Sequence, residues 1–183
     1  MANTVGPNSF LQRLLGAAAL DSAIYEEVEA DRGGTGQALA IVLLSSLAAG
    51  LGARGFVQPT VPHIVFMTAV ALMVWAAWAF LTFEIGARIL PDAETRVDVG
   101  ELLRTTGFAA TPGLLRVFGV LPGVTAPVFV ITAVWMLAAM IVAVRQALDY
   151  TSTGRAIAVC VLGWALAMSI ALALGLLFGP SVS

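Results

Sequence analysis

Glu84 and Arg116 stand out because each is an ionisable side chain at the edge of a long apolar run. Ionisable groups in such runs commonly mark proton relays, ion paths or ligand sites. Glu84 could hold a proton or a cation, but Arg88 follows four residues on, and an i,i+4 helical ion pair explains both. Arg116 reads either as an anchor snorkelling to headgroups or as the partner of an acid inside the bundle. Around Arg116 runs TGFAATPGLLRVFGVLPG, where Pro112 removes a backbone donor and Gly113 loosens the next turn. A helix broken inside a membrane must find partners for its freed carbonyls, and such breaks often line binding sites. Thr105, Thr106 and Thr111 offer hydroxyls there; in the plainer reading they bond their own helix around a packing kink. The candidate ligand or partner site is therefore Thr111, Pro112, Gly113, Arg116 and Glu84.

Other chemistry is excluded by residue type. The chain has no lysine, which removes lysine Schiff bases and Ser-Lys dyads. It has one histidine, His63, without neighbouring Asp, Glu or Cys, so no metal site is expected. Cys160 is the single cysteine and no intrachain disulfide can form. HExxH, GxSxG and phosphate-loop motifs are absent, as is a carboxylate series for Mg²⁺. We expect no catalysis and no cofactor. A net charge of −2 provides no basic stripe, so no nucleic acid is expected as a partner.

The elements that hold these residues are apolar helices. The 183 residues are 60% hydrophobic and 11% charged. Their mean hydropathy is +0.96, beyond the usual range of soluble domains. Five runs are long enough to match a hydrocarbon layer roughly 30 Å thick. They begin near Gln37, just after Pro59 and Pro62, and near Leu102, Ala126 and Arg155. The fold class expected is all-α: an integral membrane protein with five transmembrane helices and an N-terminal amphipathic interfacial helix. That gives an N-terminal segment over residues 1–36 and a five-helix domain over residues 37–179. Asn8 or Ser9 can cap the N-terminal helix, which continues to about Ala30, and GGTG at residues 33–36 ends it. Pro122-Gly123 marks a turn, and Ser152 or Thr153 can cap the last helix.

Arginines orient the spans. With the N-terminus inside, Arg13, Arg32, Arg88, Arg96, Arg104, Arg145 and Arg155 fall on the inner side, and only Arg54 and Arg116 fall outside. Five spans then place the C-terminus outside, in a cytoplasmic (inner) membrane. A four-span alternative makes the third segment re-entrant and returns both ends to the inside. After Arg13, only LLGAAAL precedes Asp21 and the acidic series, too short a core for a secretory leader, so the N-terminus is expected to be retained. Small-residue pairs Ser46/Gly50, Ala139/Ala143 and Gly163/Ala167 could seat helix contacts.

The order of several segments resembles the Yip family (the Ypt-interacting-protein domain), in its short prokaryotic form. These are the acidic IYEEVEAD, then GQALAIVLL, ELLRTTGFAATPGLL with its Gly-aromatic pair before a proline, and VRQALDYTSTGRAIAV before a last span. The resemblance covers about residues 10–178 and implies a five-helix bundle with a cytoplasmic N-terminus. Eukaryotic members engage prenylated Rab GTPases, but their long N-terminal region and DLYGP-type motif are missing here, so no binding residues carry over. The expected function is a non-enzymatic scaffold or accessory subunit in the lipid bilayer. It would act through helix–helix contacts with a membrane-protein partner or another copy of itself. The alternative is a small permease or channel using the broken third helix.

Overall fold

The computed structural model describes residues 8–53, 60–91 and 98–178, with some side chains of the second and last long helices outside that set. Arg54 and Arg96, used in the orientation count, lie outside the described residues. All regular structure among the described residues is helical. In chain order it comprises α1 (Phe10–Ala18), α2 (Ser22–Ala30), α3 (Thr35–Gly52), α4 (Val61–Glu84), α5 (Val99–Ala109), α6 (Thr125–Ala147) and α7 (Thr153–Phe178). The all-α expectation holds. Among the described residues two helices are long and apolar enough to cross a membrane, Arg32–Gly52 and Thr125–Ala147. Only 33% and 22% of their apolar windows are buried, unlike the core helix of a soluble protein.

The single N-terminal helix expected over residues 8–30 is instead a hairpin. Ser9 caps α1 in a reciprocal box with Gln12. The helix then stops because Leu20 turns left-handed (φ 62°) and Asp21 caps α2 by accepting from the Ala23 amide. One face of the hairpin packs against the bundle. Ala17, Ile24, Tyr25 and Val28 are buried against Ile41 and Val42 of α3, Phe108 of α5, and Ala139 and Ala143 of α6. The Trp135 indole nitrogen donates to the Ala18 carbonyl at 2.7 Å, while Gln146 donates to Glu26 at 2.8 Å. These anchors on α6 are about 16 Å apart along the axis, so the tip of the hairpin reaches well down the bundle. Leu11 and Leu15, both 64% exposed, form the outward face of α1.

The third segment is also divided. Its α-helical part ends at Ala109, and Thr111–Val120 continues as a ten-residue 3₁₀ helix. Pro112 is the cause, since it can neither donate an amide nor clear the carbonyl one turn back. A 3₁₀ helix is thinner and rises about 2.0 Å per residue against 1.5 Å. Both properties show in its packing on α3. A Cβ on Gly107 would meet Ala38 at 2.7 Å, and one on Gly113 would meet Ser45 at 3.1 Å. One on Gly119 would meet the Gly52 carbonyl at 3.0 Å. The two segments therefore run parallel, and residues 107–119 climb the same ~21 Å as residues 38–52.

The remaining helices alternate. Running against the 3₁₀ segment, α6 brings Phe129 near Gly119 and Met136 near Gly113. The start of α7 lies beside the end of α4, where Ile85, Val144, Leu148, Tyr150, Val159 and Cys160 form a second core. There α4 closes with a wide π turn, Ile85–Ile89. Tyr150 holds that turn by donating to the Leu90 carbonyl at 2.9 Å. Gly86 lies against Leu148, leaving no space for a side chain (2.5 Å). Gly123 takes φ +77° in the turn before α6, as Pro122-Gly123 suggested.

Gly52 gives a direct test. A methyl there would lie 1.8 Å from the Arg116 carbonyl oxygen, which is backbone and cannot swing aside. Gly52→Ala should cost at least the roughly 1–3 kcal/mol typical of overpacking. Gly36→Ala meets open space and should be neutral or slightly stabilising. Chemical unfolding of both variants in one detergent checks the contrast.

Candidate functional site

The structure separates the residues proposed from sequence. Thr111, Pro112 and Gly113 are buried where the 3₁₀ segment passes between Ser45 of α3 and Met136 of α6. The Thr111 hydroxyl donates to the Phe108 carbonyl at 2.6 Å. Thr105 donates to Glu101 and Leu102, and Thr106 to Leu102 at 2.6 Å. The freed carbonyls and threonine hydroxyls thus meet each other within the segment, which is the kink reading. Arg116 lies nearby: its Nε donates to Thr132 Oγ1 at 3.2 Å and its guanidinium carbon stands 5.5 Å from the Phe129 ring centre. Beside it is a shallow apolar groove of about 180 Å³, lined by Leu115, Phe118, Val128, Ile131 and Thr132.

Glu84 is not part of this group. It pairs with Arg88 at 3.1 Å, as i,i+4 spacing alone suggests. Its neighbour Ile85 joins the core around Val144, about 18 Å along α6 from Thr132. A site combining Glu84 with Arg116 does not form.

The densest polar cluster of the molecule is at the Glu84 end and was not singled out from sequence. Arg13 is 3% exposed on α1. Its guanidinium bonds Glu27 at 2.9 Å, Asp31 at 2.7 Å and Gln37 at 3.2 Å. Asn8 donates to the same Glu27 carboxylate from its backbone amide and its side chain. Arg104, expected at the interface, is 5% exposed. It reaches from α5 to the C-terminal carbonyls of α2, with Nε 3.1 Å from Val28 O and Nη2 on Glu29 O. Carbonyls at a helix C-terminus lack intrahelical donors and carry partial negative charge, so a buried guanidinium satisfies both. Both arginines flank Gly34, where the chain turns into α3. The missed signal was the spacing Glu27–Asp31 opposite Arg13, visible only once residues 19–21 fold α1 back on α2.

Three carboxyls here have shifted affinities for protons. Burial works against ionised Glu27, but hydrogen bonds from Asn8 and Arg13, with the Arg13 charge, hold it below the usual range. Asp31 is held down by its bond from Arg13 and the Gly33 amide. Glu29 is pushed up to about 7 by burial, then by the charges of Asp149, Glu101 and Glu26, with Arg104 opposing.

The signs follow by linkage. The stabilisation from Glu27 and Asp31 is present above their unfolded values and lost as pH falls through their depressed ones. Folded Glu29 keeps a proton that the unfolded chain releases near pH 4.3, so its contribution declines as pH rises from about 4 to about 7. Glu29→Gln should flatten the loss between about pH 4 and about pH 7. Asp149→Asn should shift that loss to lower pH. Unfolding temperature against pH reads both. Arg13→Gln leaves two carboxylates facing an emptied site and should destabilise the protein. The cost should fall below the roughly 3–5 kcal/mol of a fully buried pair, because the acids are partly exposed. Arg104→Gln should expose the amides of α2 to hydrogen exchange before those of α6.

No family model, curated protein or solved structure matches the chain.

Proposed function

We propose that this chain is a five-span membrane protein that works by lateral contact, as a scaffold or accessory subunit rather than an enzyme. The spans are α3, α4, α5 with its 3₁₀ extension, α6 and α7. Parallel register between the first and third supports a third segment that crosses fully, which argues against the re-entrant alternative. Its α-helical part and 3₁₀ part together supply about 36 Å of rise, enough for a roughly 30 Å hydrocarbon layer. Arg13 and Arg104 lie at the open end of the α1–α2 hairpin, and Arg145 and Arg155 flank the α6–α7 turn at the same end of the bundle, which supports a cytoplasmic N-terminus and an external C-terminus. The order of segments fits a Yip-like bundle.

The observation that carries the lateral reading is the contrast between inside and outside at the third-segment break. Its hydroxyls are consumed internally, and small residues close the space around it. The outward faces are broad and apolar: Leu39, Leu43 and Leu47 on α3, and Val130, Val134 and Leu137 on α6. A permease would need polar groups turned toward a path; a subunit needs only a complementary helix face. Purification from native membranes in mild detergent should recover a second membrane protein, or a second copy of this chain, at fixed stoichiometry. Leu43→Arg on the outward face should release it while the unfolding temperature stays within a few degrees. Recovery of bare monomer from native membranes would overturn the proposal.

A further inference from the structure

We infer that the groove beside Arg116 holds an anionic phospholipid, with the phosphate on the guanidinium and an acyl chain against Leu115, Phe118, Val128 and Ile131. This rests on the reading that the chain spans a bilayer. Arg116 is half-buried, and among the described residues no carboxylate pairs with it. Its orientation is nevertheless fixed, by Thr132 on Nε and by the Phe129 ring. The two Nη groups have no hydrogen-bond partner among the described residues, which leaves one edge of the planar fork free. That edge suits two oxygens of a phosphate.

Depth agrees with a lipid. Arg116 lies five residues before Leu121 on a 3₁₀ path, and Thr132 seven residues after Thr125 on α6. Both distances are about 10 Å below the turn joining the helices. That is the level at which headgroups give way to acyl chains, and an arginine there extends toward the phosphate. The groove shares Thr132 with the guanidinium, so charge and apolar surface adjoin. A zwitterionic lipid would bring a compensating cation to a site that already has one. A soluble anion would leave the groove unfilled.

The test uses the full chain in neutral detergent, with phosphatidylglycerol, phosphatidylcholine of the same acyl chains, and inorganic phosphate as probes. Phosphatidylglycerol should raise the unfolding temperature and remain as a one-to-one adduct in native mass spectrometry; the other two should do neither. Arg116→Gln should weaken retention about tenfold, the scale of one lost charge-assisted contact. Arg32→Gln, a charge removed at the far end, should change nothing. If Arg116→Gln itself lowers the unfolding temperature, Ile131→Trp decides, because it fills the groove and keeps the charge. Equal retention by either groove variant, or an equal shift with phosphatidylcholine or phosphate alone, would overturn the inference. Carbonate extraction of native membranes tests the spanning reading separately.

Discussion

The seam between α3 and the third segment is the constraint from which most of the architecture follows. Its contacts set glycine backbone against Cβ atoms or backbone: Gly107 against Ala38, Gly113 against Ser45, Gly119 against Gly52, and Gly52 against the Arg116 carbonyl. For the bilayer-spanning bundle proposed above there is little hydrophobic gain from bringing helices together, so dispersion across closely fitted surfaces does the joining. Glycine permits that approach and the 3₁₀ path brings the narrower backbone into line. Once two parallel segments meet this closely, α6 can lie antiparallel in their shared groove, with Ala139 and Ala143 buried. The broken helix is thus a packing device. Its hydroxyls serve its own carbonyls, and the residues that looked most like a ligand site in sequence are the ones that let the bundle close.

Charge is distributed unequally between the two ends. At one, Arg13 and Arg104 tie the α1–α2 hairpin to the rest of the molecule, the first through carboxylates and the second through helix-terminal carbonyls. Buried guanidinium groups are tolerable there because each meets several acceptors, Arg13 on Glu27, Asp31 and Gln37 and Arg104 on the Val28 and Glu29 carbonyls. The hairpin is therefore held firmly at its open end, while its tip needs only the Trp135 bond and apolar contact. At the other end Arg116 leans on a hydroxyl and an aromatic ring. The first arrangement closes on itself and stabilises. The second leaves charge and apolar surface adjacent.

Much of the architecture was legible in the sequence. The all-helical class, the break at Pro112, the Pro122-Gly123 turn, the Ser9 cap and the Glu84–Arg88 pair depend on residues a few positions apart. Local sterics, capping and i,i+4 geometry settle such features whatever surrounds them. What sequence could not supply were contacts at large separation, because nothing in local spacing specifies them. Leu20 bears no turn signal, yet its left-handed backbone folds α1 onto α2 and makes an ion cluster of Arg13, Glu27 and Asp31. Arg104 looked like an anchor and became a cap for a helix 75 residues away. Composition and periodicity determined that the chain forms apolar helices; packing alone decided which glycines touch and which arginines find acceptors inside the fold, because those partners lie far apart in sequence.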